Sequence, residues 1–219
     1  AGEAALSNWD AGMDMYIYGK LGNLIMTKEG INVLMTNLTG KVPPILQRLD
    51  YIRFNGEAAG YLHDLTLTGL FYTGAGMVKT DVMMSIDEQS MSRTYSGSVA
   101  SADLDLGKLL NQEKKFGKVD FNVELKGFNY KNRYPESYIK GIISSFEYSQ
   151  YQYENIMLDG VYKDGGFNGR LSMDDANGSV QIDGNFNVAK TIPDFNLKAS
   201  VKNLRPHDLH LVVGAQVLY

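Results

Sequence analysis

Strict alternation of apolar and polar residues is the feature that most limits how this chain can fold. In residues 119–126 every second residue is apolar, and the residues between them are Asp, Asn, Glu and Lys. Successive side chains of a strand point to opposite faces of a sheet, so a period of two indicates a strand with one apolar face. The same alternation recurs in residues 180–188, with Gly184 keeping the phase, and in residues 195–201, and every second residue from Leu209 to Tyr219 is apolar or aromatic. The chain is therefore predicted to be all-β.

Turn sequences between these segments indicate hairpins. Lys163-Asp164-Gly165-Gly166 and Asp174-Asp175-Ala176-Asn177-Gly178 contain the Asp-Gly and Asn-Gly pairs that tolerate positive φ in tight turns. Ser149-Gln150 is predicted to turn a third hairpin between two Tyr-rich segments. These short connections predict strands that are sequential and antiparallel.

Helix is predicted in only two short segments. Pro43–Leu49 has proline at a suitable first turn, and Lys108–Phe116 is followed by a glycine that can end a helix. The fold class expected from the whole pattern is an antiparallel sheet with one apolar face and one or two short helices.

A strand phrase occurs twice in the chain. Asp64–Phe71 and Asn155–Tyr162 both combine alternating aliphatic residues with a glycine and a bulky apolar pair. A second recurrence relates Tyr95–Val99 to Ile182–Phe186. Such recurrence is typical of arrays of stacked units, which present a long surface and not a single pocket. It predicts one elongated repeat-built domain over residues 1–219, with approximate copies at 50–118 and 119–205.

Composition excludes several classes of function. The chain has 219 residues, 44% of them hydrophobic, and a net charge of −4 from mixed charges, so neither disorder nor a nucleic-acid partner is expected. Cysteine is absent, which excludes thiolate metal sites, disulfides and a cysteine nucleophile. The segment Ala1–Leu6 has neither an initiator Met nor the regions of a signal peptide. The chain is accordingly expected to be a fragment of a longer protein.

No motif predicts catalysis or metal binding. His207 and His210 flank Asp208, but residues three apart on a strand face opposite sides of the sheet. The segment 174–178 lacks the ligand spacing of a calcium loop, and no serine lies in a Gly-x-Ser-x-Gly elbow. We expect a protein that is not an enzyme and that has no cofactor, metal or catalytic residue.

The apolar faces of the strands are the candidate functional surface. They could line an open trough that holds an apolar ligand, or form the core of a closed sandwich, and alternation alone favours the closed core. The predicted lining residues are Leu65, Leu67, Val119, Phe121, Val123, Leu125, Ile156, Leu158, Val180, Ile182, Phe186, Phe195 and Leu197.

Tyrosines near one predicted hairpin suggest an alternative function. Exposed aromatic rows bind sugars, so the chain could be a β-sandwich glycan-binding or adhesin module that uses its Tyr-rich strands. Tyrosine is also a favoured strand residue with no special role. The residues concerned are Tyr130, Tyr134, Tyr138, Tyr148, Tyr151 and Tyr153.

Several phrases in a fixed order resemble the AsmA-like, TamB-type family of translocation and assembly module proteins, in particular its Bacteroidetes-like members. The resemblance covers roughly residues 50–205. The phrases are Phe54-Asn55-Gly56 with Gly60-Tyr61-Leu62, Leu65-Thr66-Leu67-Thr68-Gly69, Thr73-Gly74-Ala75-Gly76 leading to Thr80-Asp81-Val82, Leu104–Leu110, Val123–Gly127, Tyr151–Gly160 and Phe167-Asn168-Gly169.

The resemblance implies a fold, a location and a function. Members of this family are anchored in the inner membrane by an N-terminal helix and cross the periplasm as a long curled sheet, a β-taco, whose groove is apolar. The implied function is a non-catalytic bridge that carries phospholipid to the outer membrane and assists outer-membrane protein assembly. The anchor and the region that meets the outer-membrane barrel partner are expected outside this chain. Phospholipid or other acyl chains are the expected partners, and edge-to-edge self-association is expected of a sheet with unpaired edge strands.

Overall fold

One antiparallel sheet of twelve strands makes up most of the computed structural model, which describes residues 2–8, 14–87, 89–90, 92–129, 136–187 and 193–210. Each strand pairs with its neighbours in sequence, and the sheet is open, with β1 and β12 at its edges. This confirms the predicted all-β fold class. The strands are β1 Gly2–Ser7, β2 Tyr16–Thr27, β3 Tyr51–Tyr61, β4 Asp64–Thr73, β5 Gly76–Asp87, β6 Ser92–Asp105, β7 Phe116–Asn129, β8 Glu136–Tyr148, β9 Tyr151–Lys163, β10 Gly166–Asp175, β11 Gly178–Asn187 and β12 Asp194–Lys202.

The three predicted hairpins are confirmed. Ser149 and Gln150 turn β8 into β9 with φ of 49° and 65°, and Asp164 and Gly165 turn β9 into β10 with φ of 50° and 76°. Positive φ at both central residues gives a turn whose twist matches that of the paired strands. Residues 176–177 turn β10 into β11.

The helix predictions are correct in part. Helix α2 (Pro44–Gln47) confirms the first segment. Helix α3 (Leu106–Leu110) overlaps the second predicted segment, 108–116, but it begins two residues earlier and ends six residues earlier. The reason is local capping. Asp105 accepts a hydrogen bond of 2.8 Å from the backbone N of Lys108, and Asn111 ends the helix in the left-handed conformation.

The longest helix was not predicted. Helix α1 (Lys28–Thr39) follows β2 directly, with Thr27 as its N-cap and Gly40, at φ 75°, as its C-cap. Its sequence is rich in Gly, Asn, Thr and Val, which have low helix propensity. Ile31 is 2% exposed and anchors the helix on the sheet, so tertiary packing overrides local propensity here.

The hydrophobic core lies at one end of the sheet. In an antiparallel meander all connections from an even-numbered to the following odd-numbered strand emerge at the same end, which here includes α1 and α2 between β2 and β3, and α3 between β6 and β7. We call α1, α2 and α3 the helical cap, and this the capped end. The buried residues of this core are Ile31, Leu49, Ile52, Ala75, Leu104, Leu109 and Val119.

Polar contacts fasten the helical cap. Lys28 N donates to the Asp50 carbonyl at 3.0 Å, and Lys108 Nζ lies 3.1 Å from Asp50 Oδ2. Arg48 Nη1 donates to the Leu109 carbonyl, which connects the α2 region with α3. The helices therefore form one unit at this end.

The strand predicted to begin at Leu209 is not formed by the described residues. Residues 206–210 are turns, so Leu209 does not lie on a strand, and residues 211–219 are outside the described part of the chain, as is Val188. Leu209 is fully buried, and Tyr153 Oη donates to its carbonyl at 2.7 Å. The chain after β12 is thus folded back against β9.

The repeated strand phrases do not run in the same direction. They lie in β4 and β9, five strands apart in a meander, and strands separated by an odd number of steps are antiparallel. The second pair, in β6 and β11, has the same relation. Each recurring phrase therefore marks a glycine-containing stretch in two strands that run in opposite directions. The division into copies 50–118 and 119–205 stays a prediction.

Candidate ligand-binding face

The register of the strands places all the predicted lining residues on one face of the sheet. Val123 of β7 is paired with Val99 of β6, and Val99 is paired with Thr80 of β5. On its other side Val123 is paired with Gly141 of β8, and Gly141 is paired with Leu158 of β9. We call this surface the apolar face. It carries Leu65, Leu67, Val119, Phe121, Val123, Leu125, Ile156, Leu158, Val180, Ile182, Phe186, Phe195 and Leu197.

Burial of the apolar face decreases away from the helical cap. Val119 belongs to the buried core and Phe121 packs against it, whereas Phe195 is 60% and Leu197 is 42% exposed on β12. The described strands form one open sheet and not two stacked sheets, so the closed sandwich that alternation favoured is wrong. A wide apolar surface is left partly accessible; the role of its residues as a ligand lining stays a prediction.

Aromatic rings lie along the apolar face because glycines make room beneath them. A β-carbon at Gly127 would come within 2.6 Å of Tyr95 Oη, and one at Gly160 within 2.5 Å of Phe167 Cζ. A β-carbon would also meet a backbone carbonyl oxygen of the neighbouring strand, that of Glu136 at Gly127 and that of Asn168 at Gly160, so the ring and the backbone together leave room only for glycine. The rings thereby cover backbone that would otherwise interrupt the apolar surface.

A few polar groups occur on the apolar face. Thr80 Oγ1 and Asn129 Oδ1 are buried without a hydrogen-bond partner in the described structure. Tyr95 Oη and Ser137 Oγ hydrogen-bond each other, and Arg93 lies opposite Asn129 in the register of β6 and β7. Arg93, Tyr95, Asn129 and Ser137 all lie toward the end of the sheet remote from the helical cap, which we call the polar end of the apolar face.

The opposite, outer face carries a row of polar residues that runs across all twelve strands. Each member is paired in register with the next, and we call this set the charged row. Its members, from β1 to β12, are Glu3, Lys20, Glu57, Thr68, Asp81, Ser98, Glu124, Lys140, Asp159, Arg170, Asp183 and Lys198.

Contacts within the charged row favour this register. Arg170 Nε lies 2.7 Å from Asp183 Oδ1, and Lys140 Nζ lies 3.6 Å from Asp159 Oδ2. Hydrogen bonds from Gln181 and then from Arg170 lower the pKa of Asp183. Because a slip of one residue would move these charges onto the apolar face, the row and the apolar face specify the same pairing.

The tyrosines expected for glycan binding do not form an exposed row. Tyr148, Tyr151 and Tyr153 lie on the apolar face, where Tyr153 is only 7% exposed and burial raises the pKa of its hydroxyl. Tyr151 Oη donates to Asp175. Tyr138 lies on the outer face and donates to Asp159 at 2.8 Å. The remaining two, Tyr130 and Tyr134, are outside the described residues.

The histidines near the end of the chain have structural contacts. His207 and His210 lie in turns and not on the predicted strand entry, and His210 Nδ1 is 2.8 Å from the Ser149 carbonyl. Within the described ranges, no group of three His, Cys, Asp or Glu side chains could hold a metal ion. None of the helices in those ranges is long and apolar enough to cross a membrane.

These features define the chain as an open antiparallel β-sheet protein with one apolar face, an opposite face that the charged row crosses, and a helical cap. Comparison of the chain with protein-family models, with curated proteins and with solved structures found no match.

Proposed function

We propose that this chain is a non-catalytic segment of a periplasm-spanning bridge of the AsmA-like, TamB type, and that its apolar face carries phospholipid toward the outer membrane. The observation that supports the proposal is the continuous, partly accessible apolar face opposite the charged row. An accessible apolar surface of this extent is typical of an interaction or ligand site.

The dimensions of the apolar face suit acyl chains. Twelve strands at a spacing of about 4.8 Å give a sheet about 50 Å wide, longer than one extended acyl chain. Transfer of a methylene group from water to an apolar surface is favourable by about 0.8 kcal/mol. Since this attraction is not directional, a lipid can move along the face without a strong binding position at any one strand.

Under this proposal the polar end of the apolar face contacts the lipid headgroup. Arg93 can pair with a phosphate, while the acyl chains lie toward Val99 and Val123. The inner-membrane anchor and the contact with the outer-membrane barrel partner, through which the bridge assists protein assembly, are assigned to regions outside this chain.

Two neighbouring residues of β7 allow a matched test, because they point to opposite faces. Leu125 lies on the apolar face and Lys126 on the outer face. We expect the gently extracted wild-type protein to carry phospholipid that native mass spectrometry detects. We expect Leu125→Asp to lose most of it, because a carboxylate on the apolar face is unfavourable beside acyl chains. Lys126→Asp should keep it.

Circular dichroism and thermal unfolding of both variants serve as the control for folding. Ile182→Asp and its outer-face neighbour Gln181→Asp repeat the comparison in β11. A wild-type protein without bound lipid contradicts the proposal. So does a folded Leu125→Asp variant that retains as much lipid as Lys126→Asp.

The alternative of a glycan-binding or adhesin module gains no support from the geometry. It required an exposed row of tyrosines, and Tyr151 and Tyr153 are engaged in contacts with Asp175 and Leu209. The apolar face remains the better candidate for the functional surface.

A further inference from the structure

The chain after β12 turns back across the strands that precede it, and we call residues 203–210 the strap. Arg205 N donates to the Asn177 carbonyl in the β10–β11 turn at 2.9 Å. At the other end of the strap, His210 Nδ1 lies 2.8 Å from the Ser149 carbonyl in the β8–β9 turn. Both turns lie at the capped end, so the strap crosses this end of the sheet from β11 to β9.

One side chain anchors the strap on the apolar face. Leu209 is fully buried, and its carbonyl accepts a hydrogen bond of 2.7 Å from Tyr153 Oη, which belongs to an apolar-face residue of β9. Leu204 is half-buried, and the other six residues of the strap are exposed. The position of the strap therefore depends mainly on the burial of one leucine.

The backbone of the strap is used within its own turns. Leu209 N donates to the Arg205 carbonyl at 3.1 Å. His210 N donates to the His207 carbonyl, also at 3.1 Å. The strap thus adds no strand to the sheet. An element with so few buried contacts opens at a lower free energy than the strands in the middle of the sheet.

The apolar face is accessible beside the strap. Tyr153, which contacts the strap, is 7% exposed, whereas Leu171 of β10, farther from the capped end on the same face, is 37% exposed. Ile156 of β9 and Val180 of β11 lie between these two levels. The strap therefore covers a part of the apolar face whose continuation is accessible.

The Leu209 side chain is chemically similar to the ligand proposed for this face. It is a branched alkyl group, and its burial is favourable for the same non-directional reason as the burial of an acyl chain. Leu209 and an acyl chain cannot occupy the same surface at once. Any ligand that binds the apolar face beside Tyr153 must first displace the strap.

We propose that the strap is an autoinhibitory cover of the apolar face over β9–β11, and that phospholipid binds there in competition with Leu209. This inference rests on the proposed lipid function and adds a regulation to it. A docked strap lowers the fraction of molecules that can accept lipid, so it lowers the apparent affinity. The effect is confined to β9–β11 and does not reach β4.

Methyl NMR can measure lipid affinity beside the strap and far from it in one titration. The probe is dihexanoyl-phosphatidylcholine below its micelle concentration. Ile156 and Val180 report on the surface beside the strap, and Leu65 and Leu67 report on β4. Leu209→Ser should tighten the binding reported by Ile156 and Val180 about tenfold, and it should leave the binding at β4 unchanged.

His207→Ser is the matched control. It alters the strap at a side chain that is 90% exposed, and it leaves Leu209 in place. This variant should bind the phospholipid as the wild type does at all four methyl positions. Equal tightening by His207→Ser and Leu209→Ser would overturn the inference, as would unchanged binding at Ile156 in a folded Leu209→Ser variant.

A disulfide that fixes the strap tests the inference without removing Leu209. The chain has no cysteine, and the backbone hydrogen bond between Arg205 and Asn177 brings these residues within reach of a disulfide. In a variant with Arg205→Cys and Asn177→Cys, the oxidised protein should bind the phospholipid about tenfold more weakly at Ile156 than the same protein after reduction. Equal affinities of the two forms contradict the inference.

The titration separates the strap from the proposed function. Phospholipid that shifts the methyl signals of Leu65 and Leu67, with no effect of Leu209→Ser or of the disulfide at Ile156, contradicts the role of the strap alone. No response of any of these methyl groups in the wild type or in Leu209→Ser contradicts the proposed function, and the competition at the strap falls with it.

Discussion

Single residues of the outer face illustrate how charge and hydrogen bonding act together in this sheet. Asp183 accepts hydrogen bonds from Gln181 at 2.8 Å and from Arg170 at 2.7 Å, and it faces Lys198 across the next strand pair. The hydrogen bonds favour the charged form of the carboxyl group and lower its pKa. Exposed pairs of this kind contribute little to stability individually. Their importance lies in fixing which residues are opposite one another.

The lowered pKa of Asp183 predicts a change in how stability depends on pH. A carboxyl group whose pKa is lower in the folded state stabilises the protein above its unfolded pKa of about 3.9, and this contribution is lost as the pH falls through the folded pKa. Asp183→Asn should therefore lower the free energy of unfolding near neutral pH, and the two proteins should converge in strong acid.

Urea unfolding at several pH values between neutral and strongly acidic measures this. Gln181→Met removes one of the two hydrogen bonds to Asp183 and should show part of the same change. Parallel curves for the wild type and Asp183→Asn at all pH values would contradict the interpretation of Asp183.

At the scale of secondary-structure elements, the strands form where the sequence alternates and the helices form where packing requires them. Helix α1 has an unfavourable composition for a helix, yet Ile31 and Met35, four residues apart, both reach the core at the capped end. Its ends are defined by the side chain of Thr27 and by Gly40. The stability of α1 therefore depends mainly on its contact with the sheet.

A substitution in α1 separates packing from propensity. Ile31→Ala should lower the free energy of unfolding by about 3 kcal/mol, because it leaves a cavity between the helical cap and the sheet. Val33→Ala is the matched control: Val33 is 63% exposed, and its loss should change stability by about 0.5 kcal/mol or less. Urea unfolding measures both. Equal effects of the two substitutions would show that α1 does not rely on the Ile31 contact.

At the scale of the whole molecule, stability is distributed unevenly along the sheet. The core residues Ile52, Leu104 and Val119 lie in β3, β6 and β7 beneath the helical cap, whereas all of β12 is exposed. The sheet has no second sheet to support its far edge in the described residues. Local opening therefore requires less free energy at the β12 edge than near the cap.

Hydrogen exchange at low protein concentration should reveal this gradient. We expect the amides of β6 and β7 to exchange slowest and those of β12 to exchange fastest among the strands, because few buried contacts hold β12 in place. Uniform protection of all strands at low concentration would contradict the uneven distribution.

Local patterns predicted most of the strands and the tight turns. The period of two in β7 and the Asp-Gly turn before β10 are local, so no distant residue is needed to interpret them. Alternation also grouped Leu65, Leu125 and Ile182, which the register does place on one face. Helix α1 and the turn at Leu209 were missed because each depends on distant partners, the core at the capped end and Tyr153.

By itself the sequence determined the all-β class, the faces of the strands and the positions of the tight turns, because strand periodicity and turn chemistry act over a few residues. Only the tertiary structure decided that the strands form one open sheet, that α1 exists, and that a charged residue from nearly every strand falls into one row. The physical reason is that alternation is the same in an open sheet and in a closed sandwich. Which of them forms depends on pairing and packing between residues far apart in the chain.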